Sequence, residues 1–333
     1  MSLEKKQLMS RNVKSGLVSI VVPSYNYARY IDQRMESLLN QTYHNLEIIV
    51  IDDCSTDNSM DVLRPYESDP RVTLVAREEN GGWVTVNNQG VGLASGEFIL
   101  FAQCDDTCDH RMVELLVEPL QSHPSAGISF CRSLLVDERG GTLGDDFDGR
   151  ERNFKNLCRQ DTLINRDQMV GFLFHACVIP NLSAALIRRN SFDVVGGFTH
   201  QYRVCGDWEW FFRTAEHFDV AYVAKPLNRF MQHEKTIRSV TKDRVVFEEY
   251  FQLLLSNLKM FKLSFFQRCR YRMRVMELWS SHLLSHSWHG LCNFPYHLGR
   301  IVRIDPVSLV FLPPALLLRM LLIIRKAIEK VVS

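Results

Sequence analysis

The sequence predicts an α/β fold, a doubly wound and mostly parallel sheet followed by a helical C-terminal region. Three observations carry this: apolar runs of strand length alternate with helix-period segments through the first 130 residues, an amphipathic helix follows near residue 206, and the chain beyond residue 244 has helical periodicity throughout. With 333 residues, 46% hydrophobic and 23% charged, the chain can bury a sizeable core in one large domain or two modest ones.

Taken in order, "LVSIVV", "LEIIVI", "VTLVA" and "EFILF" read as buried strands rich in β-branched and aromatic residues. Between them, Ile31, Arg34, Met35, Leu38 and Leu39 follow a 3.6 period, and Asp61 to Tyr66, Val84 to Leu93 and Met112 to Leu120 are the other candidate crossover helices. Repetition of strand, helix and strand makes a parallel sheet, and such sheets bind ligands beyond the carboxyl ends of their strands. Asp52 and Asp53 follow one strand, and Asp105 and Asp106 follow another, so both acidic pairs fall at those ends. The polar segment 137–156 reads as a loop, "SAALIRR" as a further strand and "VGGF" as a turn. In "GDWEWFFRTAEH" (206–217), Trp208, Phe211, Phe212 and Ala215 sit at i, i+3, i+4 and i+7, which predicts an amphipathic helix with Trp208 on its core face and Trp210 off that stripe.

The net charge of +1 conceals an asymmetry: residues 258–330 hold 12 Lys and Arg against 3 acids, a local charge of +9. From Val307 to Ile324 the only charge is Arg319, but Pro313 and Pro314 are expected to break that run, leaving it short of the ~20 apolar residues of a spanning helix. A basic amphipathic segment lying on an anionic lipid surface fits this composition, and a helical subdomain packed on the rest of the chain is its alternative. Nucleic acid is not expected as a partner, because no recognised binding module accompanies the basic residues. The N-terminal stretch has no apolar h-region of the kind a secretory signal needs, so a cytoplasmic location is expected. Nine scattered cysteines without C-x-x-C pairs fit reduced thiols better than a disulfide frame or structural zinc.

Adjacent carboxylates at a strand end have two readings. One is a helix cap with a solvated neighbour, and the other is a site for Mg²⁺ or Mn²⁺ completed by phosphate oxygens. Here the sequence becomes recognisable: "VSIVVPSYNYARYIDQRMESLLNQTYHNLEIIVIDDCSTDNS", followed by "NGGWVTVNNQGVGLASGEFILFAQCDD", resembles the inverting family 2 glycosyltransferases of GT-A fold over about residues 17–240. The resemblance implies a UDP-linked nucleotide sugar as donor and a divalent cation (Mn²⁺ or Mg²⁺) as cofactor. It implies that Pro23 and Tyr25 pack against the base, that Asp53 hydrogen-bonds it, and that Asn88 lies beside the ribose region. Asp105 would approach the ribose and Asp106 would ligate the metal, with Gln103 standing where an acid often leads the motif. His233 resembles the late histidine that approaches metal or diphosphate, and Arg229, Lys235 and Arg238 are diphosphate candidates or parts of a solvated basic loop.

An inverting transfer needs one carboxylate to take the acceptor hydroxyl's proton. Asp207 matches the acidic catalytic motif, with Gly206 replacing its first acid. Asp207 is equally placed to cap the helix it opens, Glu209 is the fallback base, and Trp210 is the acceptor-site candidate beside it. The expected organisation is an N-terminal extension (1–16), a GT-A domain (17–243; nucleotide side about 17–110, acceptor side about 125–243) and a basic helical region (244–333) that holds the enzyme at the inner face of the plasma membrane. The acceptor would be a glycan hydroxyl on a lipid-linked surface polysaccharide intermediate. The sequence also permits a homo-oligomer. Transfer to a polyprenyl phosphate, a non-catalytic nucleotide-sugar-binding scaffold and a sugar-1-phosphate nucleotidyltransferase are the rivals. The last lacks the Gly-rich basic N-terminal loop it requires.

Overall fold

The structure is a computed structural model that describes residues 13–146, 159–233, 240–285 and 294–332, without the side chains of 285, 323, 324 and 326–332. It divides into two units, Met1–Gln201 with Gly206–Ser239, and Tyr202–Cys205 with Val240–Ser333.

In the first unit the four expected strands are β1 (Lys14–Ser24), β2 (Leu46–Asp52), β3 (Val72–Ala76) and β4 (Gly96–Phe101). Each is an apolar run, and β1, β2 and β4 are almost wholly buried, as strands covered by helices on both faces must be. They form a parallel wing in the order β3-β2-β1-β4. The chain therefore steps outward from β1 to β3 and returns to the other side of β1 as β4. This reversal opens a crevice beyond the carboxyl ends of β1 and β4.

The wing is crossed by helices α1 (Ala28–Leu39), α2 (Ser59–Leu63), α3 (Gly82–Leu93) and α4 (Met112–Ser122). Helix α3 lies against β1 at Gly90, where an added Cβ would stand 2.3 Å from Val21 Cγ1. Substituting Gly90→Ala forces that contact apart inside a packed core and is expected to cost about 1–3 kcal/mol, read as a lower urea midpoint; Val21→Ala in the same chain should recover part of the loss.

The rest of the sheet is mixed. Strand β9 (Ala185–Arg188) inserts antiparallel between β4 and β6 (Ala126–Val136), β10 (Asp219–Met231) runs parallel to β6, and short β5 (Thr107–Cys108) and β8 (Thr162–Ile164) pair antiparallel with β10. The first part of the predicted loop 137–156 is instead a hairpin, with β7 (Thr142–Asp145) returning on β6 and Gly140 at φ 78° in its turn. Residues 147–156 lie outside the described residues. Helices α5 (Arg166–Leu173), α6 (Asn190–Val195) and α7 (Gly206–Ala215) complete the unit. Among the described residues seven cysteines are free thiols.

Helix α7 corrects the expectation for Trp210. It is packed on two sides: Trp208 stacks on Phe212, whose ring meets Phe174, while Trp210 stacks on Phe192 at 4.6 Å and donates from Nε1 to the Gly196 carbonyl. Trp210 is 0% exposed and belongs to the core, not to an acceptor surface.

The second unit is helical: α8 (Asp243–Met260), α9 (Phe265–Ser285), α10 (Phe294–Ile304), a 3₁₀ turn (Pro306–Phe311) and α11 (Leu312–Val332). Pro313 and Pro314 do not interrupt a helix. They lie in the first turn of α11, where missing N–H donors cost nothing. Among the described residues no helix is long and apolar enough to cross a membrane. Arg272 grips Asp305 with two bonds of 2.7 Å, pinning α9 to the end of α10.

His297 is buried edge-on to Phe247 and Phe251, and among the described residues neither ring nitrogen has a hydrogen bond. Burial lowers its pKa from the ordinary 6.5, with Glu248 opposing that shift and Arg244 and Arg300 adding to it. The folded state therefore binds this proton less readily than the unfolded chain. The resulting stability is present above pH 6.5 and is lost as pH falls below it. Thermal melting is expected at a lower temperature at pH 5.5 than at pH 7.5, and His297→Phe should shrink that difference.

Candidate active site

The crevice at the ends of β1, β2 and β4 is built by loops that hold one another. Asn26 and Cys54 both adopt left-handed backbone, φ 57° and 62°, in the loops after β1 and β2. The Asn26 side-chain oxygen accepts from the Thr56 and Asp57 N–H groups at 2.8 and 3.3 Å, tying the two loops together. Pro23 is half-buried at the end of β1, and Tyr25 just beyond it is 43% exposed.

Asp53 is nearly enclosed. Its Oδ1 accepts from Arg77 Nε at 2.8 Å and from the Gly81 N–H at 2.9 Å, and its Oδ2 accepts from the Gly82 N–H at 2.8 Å. Gly82 reaches that carboxylate with φ 73°, a conformation that disfavours side-chain-bearing residues. Arg77 also bonds Gln89, so Asp53, Arg77 and the first turn of α3 form one unit. Sequence reasoning missed Arg77; the signal was a single cation directly after β3, level with the acid that ends β2. Asn88 is placed on α3 with its amide spent: it donates to the Phe198 carbonyl and accepts from the Phe198 N–H, both at 2.9 Å. Its visible task is to hold the segment ahead of α7.

The second acidic pair is assembled from three distant parts of the chain. Asp105 Oδ2 lies 3.0 Å from His233 Nε2 and accepts from the Tyr27 hydroxyl at 3.4 Å. The His233 ring packs against both Tyr27 and Tyr30, with centroids 6.4 and 5.7 Å away, and those two rings also meet each other at 5.8 Å. Burial and the Asp105 charge push the Tyr27 phenol pKa far up, so the hydroxyl keeps its proton and can donate it to Asp105. Asp106 is 1% exposed; its Oδ1 accepts from the Met231 N–H at 3.0 Å, and its Oδ2 has no hydrogen-bond partner among the described residues. Burial, then the neighbouring Asp105 charge, raises the Asp106 carboxyl to about 7, against the pull of the Arg34 guanidinium, the Ser183 hydroxyl and the Met231 N–H. The end of β10 thus closes over the acids that follow β4. Arg229 is exposed on β10, paired in register with Thr107 next to Asp106. Lys235 and Arg238 lie outside the described residues.

A divalent cation fits this chemistry. A buried carboxylate oxygen without a partner is an unsatisfied hard ligand, and Asp106 with His233 could hold a cation beside it. Among the described residues no three His, Cys, Asp or Glu side chains are grouped to hold a metal by themselves, so phosphate oxygens would have to complete the shell.

Asp207 lies in the first turn of α7, half-buried, rather than at the cap position before it. An acid there is favoured by the helix dipole, and its Oδ1 accepts from the Trp208 N–H at 2.7 Å. Glu209 is committed to Arg213, with contacts of 2.7 and 3.0 Å, and Arg213 in turn donates to the Val195 and Gly197 carbonyls. Trp83, in the first turn of α3, lies against Gly206: an added Cβ there would stand 2.6 Å from the indole ring. Contacts therefore run from Asp53 through the turn at Gly81 and Gly82 to Trp83, and from Trp83 to the residue before Asp207.

A parallel β3-β2-β1-β4 wing, a strand reversal carrying acids at its mouth, and an appended antiparallel strand form the fold of the GT-A glycosyltransferases. Comparison with solved structures gives S. aureus TarS 1–349 in complex with UDP-GlcNAc at a TM-score of 0.65 and 16% identity, covering 88% of this chain and 83% of that one. A mannosyltransferase from Pyrobaculum calidifontis in complex with GDP-Man and Mn²⁺ superimposes at a TM-score of 0.52 and 17% identity, covering 94% and 90%. The sequence profile described as "Glycosyl transferase family 2" matches residues 19–196, and the chain belongs to that family. Among curated relatives, the glycosyltransferase GlyG of Streptococcus pneumoniae serotype 4 is 31% identical over 182 residues, 54% of this chain and 60% of that protein. The putative teichuronic acid biosynthesis glycosyltransferase TuaG of Bacillus subtilis is 35% identical over 128 residues, 38% of this chain and 50% of that protein. The matches thus span 60% or less of these two relatives' lengths.

Proposed function

We propose that the protein is an inverting glycosyltransferase that takes a sugar from a UDP-linked donor and passes it to a glycan hydroxyl. The observation that carries this is the convergence of Asp105, Asp106, Tyr27 and His233 at the crevice where the strand order reverses, in a chain of this family. The nucleotide would lie across the ends of β1 and β2, its base between Tyr25 and the Asp53–Arg77 unit, and its diphosphate would point toward Asp106, His233 and Arg229. A bound Mn²⁺ or Mg²⁺ would neutralise charge developing on the leaving diphosphate. Asp207 takes the acceptor hydroxyl's proton as that oxygen attacks the anomeric carbon, and Trp83, against Gly206, replaces Trp210 as the aromatic beside it. Calorimetric titration of UDP and GDP into the full chain with Mn²⁺, with EDTA and with Asp106→Ala tests the donor half. Cation-dependent UDP binding lost in the variant is expected; no nucleotide binding under any condition would leave a scaffold role in its place.

The acceptor in this proposal is lipid-linked, and the enzyme is peripheral on the cytoplasmic face of the plasma membrane. In support, α11 and the turn before it leave Val310, Leu317, Leu318, Leu321 and Leu322 exposed. Leu317, Leu318, Leu321 and Leu322, at i, i+1, i+4 and i+5, share one face of α11, and Val310 lies in the 3₁₀ turn before it, all within the region of charge +9. Apolar burial plus attraction of Lys and Arg to anionic headgroups would hold such a face on a bilayer. Sedimentation with anionic and neutral liposomes is expected to retain the full chain on the former and release the Leu317→Glu, Leu321→Glu double variant. Equal partition of both proteins would remove the membrane from the proposal.

A further inference from the structure

The turn that joins α8 to α9 presents an aromatic pair to solvent. Helix α8 ends at Met260, Phe261 beyond it is extended at φ −79° and ψ 142° with its ring buried, and α9 begins at Phe265. Ser264 and Gln267 cap α9 reciprocally: the Ser264 hydroxyl accepts from the Gln267 N–H at 3.3 Å, and the Gln267 side-chain oxygen accepts from the Ser264 N–H at 2.9 Å. Arg268 donates to the Leu258 carbonyl at 3.0 Å, in the last turn of α8, so both ends of the turn are tied. On this frame Phe265 and Phe266 are 75% and 83% exposed, their rings edge-on with centroids 5.7 Å apart, and Met260 is exposed as well. A lone exposed apolar side chain is ordinary, but two phenyl rings held out together by a capped helix start form a patch. The charge around them has one sign. From residue 250 to residue 276 the chain has Lys259, Lys262, Arg268, Arg270, Arg272 and Arg274 and no Asp or Glu. Arg272 and Arg274 are paired with Asp305 and Glu277, while Lys259, Lys262 and Arg270 are exposed. This pattern selects what covers the rings. A second copy of the chain meeting itself at the same turn would set like charges face to face, which costs affinity. An anionic lipid leaflet offers acidic headgroups for the cations and an interface in which aromatic rings settle.

We propose that the turn between α8 and α9 is a membrane-inserting wedge: Phe265 and Phe266 enter the headgroup boundary of an anionic leaflet, and Lys259, Lys262 and Arg270 hold the headgroups around them. The wedge is a second lipid contact besides the exposed face of α11, and it deepens the peripheral reading given above, on which it rests. Because the cap fixes the helix start before it meets lipid, insertion orders little backbone that is not already ordered.

Sedimentation of the full chain tests this with vesicles of phosphatidylcholine and phosphatidylglycerol in equal parts and with vesicles of phosphatidylcholine alone. The parent is expected on the anionic vesicles, and less so as salt rises. The Phe265→Ser, Phe266→Ser and the Lys259→Gln, Lys262→Gln double variants are each expected to weaken that partition about tenfold or more. Phe265→Trp, Phe266→Trp is expected to retain it, with a larger blue shift of emission on vesicle addition than the parent shows. Unchanged partition in the serine variant overturns the proposal. If that variant still binds while Leu317→Glu, Leu321→Glu is released, the wedge fails and the peripheral reading stands on α11; a parent that binds neither vesicle removes both. Light scattering without lipid tests the other occupant: a parent dimer that the serine variant converts to monomer makes the pair a contact between copies and overturns the wedge. Should the serine variant fail to fold, the lysine and tryptophan variants carry the test.

Discussion

Asp207→Asn is expected to lower kcat by about 10²- to 10⁴-fold, the range associated with losing a general base, while leaving UDP affinity as it was. The carboxylate is half-buried in the first turn of α7 and receives the Trp208 N–H, so an amide of the same shape keeps the helix start but loses the lone pair that accepts the proton. Steady-state kinetics with a saturating donor separate the two quantities. The result also discriminates acceptors. A hydroxyl must give up its proton as it attacks, whereas a polyprenyl phosphate is already an anion, so full activity in Asp207→Asn would move the acceptor from a glycan hydroxyl to a phosphate. Glu209 is a poor substitute base here, because both of its oxygens are taken by Arg213.

The sequence made the parallel wing legible because β1, β2 and β4 are buried on both faces and therefore appear as unbroken apolar runs. It made both acidic pairs legible because they directly follow such runs. It could not show what closes over them. Met231 and His233 reach Asp106 and Asp105 from more than 120 residues away, and that approach depends on β10 running parallel to β6 beside β9, which the sequence marks as a strand without marking its antiparallel direction. Trp210 was misplaced for a related reason. A one-stripe helix presumes one neighbour, and α7 has packing partners on two sides. Arg34 was visible only as a member of an apolar period, and its complete burial is a tertiary fact. Pro313 and Pro314 carried the opposite lesson, since the same residue that breaks a helix interior begins one without penalty.

Asp53→Ala is expected to produce the largest loss of stability of any single change at the crevice. Removing one partner of a buried ion pair typically costs about 3–5 kcal/mol, and here Arg77 and Asp53 are 17% and 4% exposed at the side chain, so the remaining guanidinium would keep little water. The same carboxylate also holds the Gly81 and Gly82 N–H groups, which lose their acceptor together. The consequence should travel. The first turn of α3 carries Trp83, and Trp83 bears on Gly206 next to Asp207, so a loosened turn frees the ring that the start of α7 leans on. Urea unfolding of Asp53→Ala and Asp53→Asn, with UDP titration of whichever remains folded, measures both effects. Asp53→Asn keeps one acceptor oxygen and is expected to fall between the parent and Asp53→Ala in stability. If Asp53→Ala unfolds at the parent's urea midpoint and loses only nucleotide binding, then Asp53 serves the ligand alone and the contact path from Asp53 through Trp83 to Asp207 carries no mechanical coupling.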